Sequence, residues 1–285
     1  MRGNKETCAR VLFALAATIS IASIVTISLF LFIPSFKTIN TIGFKQFLLG
    51  RVWRPSNNEF GIFAMIISSF ELTFLALLFA VPLGLFTSVF IAKYAKGKLK
   101  QLFASAVNLL AGLPSVIFGF FGIMVIVPLI RNLTSSKGPS MLAGSLVLSL
   151  MILPTLISVT VPSLEAVDNS YYEGALALGA NKEKAIFSLI LPCGKSGVIA
   201  ALVLAIGRAI GEATAVVMVA GNQPRLSSSV FAGVRTMSAN VIMEMGYATE
   251  LHQEALIATG AVLFIFILLI NVAIYRLKAD KRSTK

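Results

Sequence analysis

"YYEGALALGANKEKAIFSLILP", residues 171–192, is a compact polar stretch set between two long apolar runs. It carries Glu173, Lys182, Glu183 and Lys184, with Asp168 and Lys195 just outside it. Charges at that density do not belong in a bilayer interior, so the stretch predicts an aqueous hairpin joining two membrane spans. Glu173 to Leu178 reads as a short helix and Gly179 as its stop. Asn181 then caps a second helix, with Glu183 in its first turn and Pro192 near its end. Ala175, Leu176 and Leu178 give the first helix an apolar surface. A helix this short is not stable alone and must pack on something. From pattern alone an ordinary surface loop stays open.

Outward from the hairpin the chain is apolar. It is 57% hydrophobic and only 13% charged, which excludes an ordinary soluble domain. Several runs exceed the ~20 residues that cross a bilayer as a helix; 11–33 and 255–275 contain no charge. The expected fold is all-α and polytopic, with six spans at 11–33, 62–92, 102–130, 141–161, 196–220 and 255–276. A β-barrel is disfavoured, because its strands alternate polar and apolar residues. The first span has the basic start of a signal peptide (Arg2, Lys5, Arg10), but its apolar core is too long and no cleavage site closes it. It reads as a retained helix.

The net charge of +12 reflects flanking charge rather than nucleic-acid binding. With the N-terminus inside, 15 of the 24 Lys and Arg fall in inside segments and 8 in outside ones, so both termini and the 171–192 hairpin are expected to be cytoplasmic. Cys8 and Cys193 show no spacing for a metal or disulfide and would both lie on that reducing side.

Arg208 and Glu212 remain inside the fifth span. On a continuous helix their i,i+4 spacing places both on one face. A lone charge at mid-bilayer costs at least ~2.5 kcal/mol, so such residues persist when paired, hydrated or useful. One reading is an ion pair that locks the bundle. The other is a pathway in which Arg208 offers its planar donor fork to a tetrahedral oxyanion. Glu212 would then temper the affinity, since a conduit must release what it binds. Gly207 and Gly211, beside a stripe of Ala201, Ala205, Ala209 and Ala213, suit close helix packing. Glu71 is a second intramembrane acid, near an interface or facing a charge of a partner subunit. Gly112 to Ser115 breaks the third span, either to expose backbone groups or as a packing kink, and the Ser115 hydroxyl is a candidate donor to substrate.

Enzyme signatures are weak. "CGKSG", 193–197, lacks the earlier Gly of a nucleotide-binding loop, since position 189 is Leu, and a span follows it. His252 beside Glu250 and Glu254 reads as a solvated polar face rather than a metal site. No nucleophile–base constellation or metal cluster is apparent, and no enzyme activity, metal or cofactor is expected in this chain.

The spacing Glu173-Gly174-Ala175-x3-Gly179, followed by Leu191-Pro192, resembles the EAA loop of ABC-importer permeases. Gly174 replaces Ala and Leu189 replaces Ile in that family's Glu-Ala-Ala-x3-Gly-x9-Ile-x-Leu-Pro pattern. The resemblance implies a coupling helix, Tyr172, Glu173, Gly174, Ala175, Leu176, Ala177, Leu178 and Gly179, docked into a groove of a cytoplasmic ATPase. "VWRPSNNEFGI" (52–62), "LLAGLPSVIFGFFG" (109–122), "ILPTLISV" (152–159), "YYEGALALGA" (171–180) and "GRAIGEATAVVMVAGN" (207–222), in this order, resemble the PstC-type permease of the phosphate-specific ABC transporter. The Trp53-x-Pro55 and Phe60-Gly61 loop favours this type over the PstA type. Asn108, Ser68-Ser69, Glu71 and Lys93 depart from the pattern.

That resemblance implies one type I permease domain over 1–285, with a core at 60–276 and a coupling loop at about 162–195. It also implies a multi-pass protein of the bacterial plasma (inner) membrane, surrounded by lipid. The implied partners are a PstA-type permease, a PstB-type ATPase dimer holding ATP-Mg, and an extracytoplasmic phosphate-binding protein. Arg208 and Glu212 would serve phosphate transport, with Ser115 as a further pathway candidate. A permease for molybdate or sulfate, or an autonomous secondary transporter, are the alternatives.

Overall fold

The structure, a computed structural model, describes the backbone of residues 2–280 and the side chains of 9–273 and Arg276. The expectations for Arg2, Lys5, Cys8 and the basic side chains beyond Arg276 lie outside the described residues. Among those described, five helical stretches are long and apolar enough to span a bilayer: 9–42, 63–94, 115–133, 141–165 and 250–273. A sixth comes from a bent pair, 182–193 and 195–211, whose axes meet at 67°.

The first helix, α1 (Arg2–Ile42), runs well past the expected end at 33 and carries Pro34 inside it. It lies on the periphery against the last helix, α14 (Glu250–Asp280). Phe32 meets Phe264 edge-on at 5.8 Å, and the Thr38 hydroxyl donates to Glu254 Oε2 at 2.8 Å. After the short α2 (Phe44–Leu49) comes a small antiparallel hairpin of β1 (Trp53–Arg54) and β2 (Glu59–Phe60). It leads into α3 (Phe63–Val89), which continues as a π-helical turn over Phe90–Tyr94.

The centre of the bundle is α3 against α7 (Met141–Glu165) and α11 (Lys195–Gly211). Leu72, Ala76 and Ala80 of α3 bury against Leu148, Ile152 and Leu156 of α7 and Ala201, Ala205 and Ala209 of α11. Inside lipid this packing is driven by dispersion and close approach rather than by loss of water, which favours small residues at the seams. Gly197 is such a seam: a Cβ there would strike Ser163 of α7.

Two spans differ from expectation. Residues 97–112 form a separate helix, α4 (Gly97–Gly112), and the third span begins only at Ser115 rather than at 102. The cause is Pro114, whose ring disfavours helical backbone at the residue before it; Leu113 takes ψ 131° and ends α4. The span itself is α5 (Ser115–Phe121), a π-helical turn over 122–126, and α6 (Val127–Leu133). The fifth span, expected as one helix over 196–220, stops at Gly211. Glu212 turns extended, with ψ 124°, and a short α12 (Thr214–Val219) follows.

At one end, α8 (Asn169–Ala177), α9 (Lys182–Ala185), a π-helical turn over 186–190 and α10 (Leu191–Cys193) build the hairpin. At the opposite end, α13 (Met237–Glu244), α2 and the β-hairpin enclose Phe47, Trp53, Phe60, Ile62, Met65 and Leu256 in a second core.

Candidate functional site

Arg208 sits in the last turn of α11, half-buried on a side this chain leaves open. Its Nη1 donates to Thr155 Oγ1 of α7 at 3.1 Å, its one side-chain hydrogen bond among the described residues. A guanidinium has five N–H donors, so four stay available to something else. Glu212 does not share a helix face with it, because the helix ends between them. Its Oε1 accepts the Ala215 N–H at 3.1 Å and so satisfies one of the orphan amides at the start of α12. Its carbonyl accepts the Ser238 hydroxyl at 2.9 Å. The ion pairs of the described residues do not include Arg208 with Glu212, so a pair that locks the bundle is not formed.

The alanine stripe packs as expected, with Ala201, Ala205, Ala209 and Ala213 all buried. Gly207 and Gly211 do not: a Cβ on either meets nothing within 4 Å, so their open edge adjoins Arg208 instead of a neighbouring helix. Ser115 opens α5 and is half-buried, with no described contact to Arg208. Glu71 is half-buried in α3 and borders a hollow of about 200 Å³ with Phe74, Met141 and Ser227 to Ser229.

The hairpin is built from local caps. Asp168 accepts the Ser170 N–H at 2.8 Å and starts α8; this hydrogen bond holds its carboxyl below the usual carboxylate range. Glu173 accepts from the Asn169 amide at 2.5 Å. Gly179 takes φ +85°, the left-handed stop that glycine supplies without steric cost. Asn181 caps α9 by accepting the Lys184 N–H at 2.9 Å. Tyr172 packs against Val89, Leu164, Ile186 and Ile190, which tie the hairpin to the ends of α3 and α7. The rest of α8 is uncovered: Leu178 is 91% exposed, Tyr171 is exposed, and Gly174 has open space around it. A groove of about 590 Å³ runs beside Tyr171, Gly174, Leu178, Gly179 and Lys184.

The opposite end holds a cluster that sequence reasoning missed. Glu244, 6% exposed, accepts from Arg235 Nη1 at 2.6 Å and Trp53 Nε1 at 2.8 Å, and pairs with His252 Nε2 at 2.8 Å. Arg235 also donates to the Asn222 carbonyl and to Asn240 Oδ1, each at 3.0 Å. His252 stacks on Phe60 at 6.1 Å and lies edge-on to Trp53, so it belongs to a mostly buried network rather than to a solvated face. Burial and the nearby Glu244 push the Tyr247 phenol up. Among the described residues no three His, Cys, Asp or Glu side chains gather as metal ligands.

Residues 80–283 match the family described as binding-protein-dependent transport system inner membrane component. The chain is 35% identical over 277 residues to the probable ABC transporter permease protein YqgH of Bacillus subtilis, covering 93% of this chain and 90% of that protein. It is 31% identical over 280 residues to the phosphate transport system permease protein PstC of Mesorhizobium japonicum, covering 90% and 85%. Among solved structures, a bacterial ABC transporter involved in import of the polysaccharide alginate superposes with a TM-score of 0.61 at 14% identity, covering 92% of this chain and 95% of that one. The MetNI methionine ABC transporter in an inward-facing form gives 0.57 at 16% identity, covering 76% and 92%. The all-α bundle is therefore an ABC-importer permease fold, and the chain belongs to the family of binding-protein-dependent transport system inner membrane components.

Proposed function

We propose that this chain is one of two permease subunits of an ATP-driven phosphate importer. The observation that carries the reading is Arg208: a half-buried guanidinium at the end of an apolar helix, held by one hydrogen bond and facing a side kept open by two glycines. Among the described residues that permanent charge has no partner of opposite charge, yet its remaining donors match a tetrahedral anion. The likeness to a relative named for phosphate transport supports phosphate over other oxyanions. A PstA-type permease would supply the other half of the pathway.

In this reading both termini and the hairpin are cytoplasmic. Residues 172–179 are the handle, docked on a PstB-type ATPase dimer that holds ATP-Mg. The end built around Glu244 faces an extracytoplasmic phosphate-binding protein. ATP-driven closure pulls the hairpin; Tyr172 and the cluster beneath it pass that movement to α3 and α7, which both pack on α11, α7 also carrying Thr155. Glu212 acts by fixing the break between α11 and α12, which sets where Arg208 ends up.

The test is uptake of radiolabelled phosphate into proteoliposomes holding the full complex and ATP, with excess sulfate or molybdate as competitors. Arg208→Gln is expected to abolish uptake with assembly intact, and neither competitor is expected to reduce the native rate. Uptake by the chain alone, or normal uptake by Arg208→Gln, overturns the reading.

A further inference from the structure

The break after α11 is held from outside the helix. In a continuous helix the Glu212 carbonyl would accept the Val216 N–H, four residues on. That bond is not formed. The carbonyl instead accepts the Ser238 hydroxyl of α13 at 2.9 Å, while the Glu212 side chain takes the Ala215 N–H.

The direction of the Ser238 bond follows from counting protons. A hydroxyl has one O–H to give, and a carbonyl can only accept. The Ser238 and Thr236 hydroxyl oxygens lie 3.1 Å apart, and Thr236 Oγ1 also accepts the Ala239 N–H at 3.2 Å. With the Ser238 proton committed to Glu212, the Thr236 hydroxyl donates to Ser238. The result is a relay of three bonds, each polarising the next, that ends on the Glu212 carbonyl. Thr236 and Ser238 are both buried, where an unmet carbonyl is costly.

The helix that presents Ser238 is itself pinned. The Ser69 hydroxyl oxygen of α3 accepts the Met237 N–H at 3.0 Å at one end of α13, and Glu244 with its three partners fixes the other. Across the break, α12 packs on α5 and α7, and α11 packs on α7 and α3, so both cannot keep their places if the break straightens. The turn next to the break carries Arg208, which would then shift from Thr155.

We propose that Ser238 is a positioning residue for transport: its hydroxyl holds the bend at Glu212, and through the bend the place of Arg208. The proposal rests on the reading of Arg208 given above. It also joins the outer end to the pathway, because the same short α13 carries Ser238 and Glu244.

The first test measures phosphate taken up per ATP hydrolysed by the assembled complex in proteoliposomes. Ser238→Ala is expected to lower that ratio about five- to tenfold, the worth of one hydrogen bond. Simple loss of folded complex would lower uptake and hydrolysis together and leave the ratio unchanged. The second test reads the bend itself, by hydrogen exchange in the purified chain. In Ser238→Ala the freed Glu212 carbonyl is expected to take the Val216 N–H, so exchange at Val216 should slow severalfold, whereas general loosening would speed it. A native ratio in Ser238→Ala, or exchange at Val216 that does not slow, overturns the positioning role while leaving that of Arg208 standing if Arg208→Gln is still inactive. Should Ser238→Ala fail to assemble, the exchange experiment decides by itself. If Arg208→Gln also transports normally, the parent reading falls as well.

Discussion

Among the described residues Arg208 is half-buried and Glu244 buried, and the two differ in how many partners each has. Glu244 is saturated: Arg235, Trp53 and His252 all converge on its two oxygens. Removing it strands a mostly buried guanidinium, and breaking a buried pair from one side costs about 3–5 kcal/mol. Glu244→Ala is therefore expected to lower the thermal midpoint markedly. Trp53, the one tryptophan in the chain, reports the loss directly as a change in emission when the purified protein is heated in detergent. Trp53→Phe deletes one donor and leaves a smaller aromatic ring; it is expected to cost less, about 1–2 kcal/mol for the lost hydrogen bond, read by circular dichroism on heating because the variant has no tryptophan. Arg208 stands out in the sequence because a charge inside an apolar run is costly unless it is paired, hydrated or useful. Glu244 does not, because a carboxylate in a polar loop is ordinary and its partners lie 191, 9 and 8 residues away. Glu212 was legible as a charge but misread in its role. The i,i+4 argument assumes a continuous helix, and Glu212 is where the helix stops.

At the level of elements, the hairpin was the most readable part of the chain. The stop at Gly179 and the cap at Asn181 both lie where turn chemistry requires them. Gly179→Ala forces a Cβ into the left-handed region and is expected to cost about 1–2 kcal/mol locally. Leu178→Asp tests function instead. Leu178 touches almost nothing in this chain, so the substitution is expected to leave folding unchanged and to abolish co-purification with the ATPase. Asp168 gives a pH dependence. Its carboxyl is held below the ordinary range by the Ser170 amide, so the cap stabilises α8 above the ordinary carboxylate pKa and is lost as pH falls through the lowered value. The protection of the Ser170 amide, relative to a free amide at the same pH, is expected to fall in acid, and Asp168→Asn, which keeps the acceptor without titrating, should remove that pH dependence. The span boundaries were less readable. Pro114 announced a break, yet hydropathy alone ran the third span back to 102, because α4 is also apolar on much of its surface. Only the backbone restriction at Leu113 separates the two helices.

Taken as a whole, the chain is half of something. Its core is complete where α3, α7 and α11 meet, but the side with Arg208, Gly207 and Gly211 is only partly covered by the described residues. An uncovered face that carries an arginine cannot rest against lipid tails without a large cost, so water or a second subunit must lie there. The glycines separate folding from assembly. In α11 Gly207 lies within a helix and its Cβ position is empty, so Gly207→Ala is expected to raise stability by about 0.8–1 kcal/mol through helix propensity alone. Gly207→Leu is likewise expected to leave the isolated chain folded, since no described atom of a neighbouring element lies within 4 Å of its Cβ position. In the assembled importer the same leucine would project beside Arg208 into the space the anion needs, and uptake is expected to fall sharply while ATPase binding holds. Thermal unfolding of the purified chain and phosphate uptake by the complex measure the two effects separately. If Gly207→Leu transports at the native rate, the open side is not the pathway, and Arg208 must be explained by a charge on the neighbouring subunit.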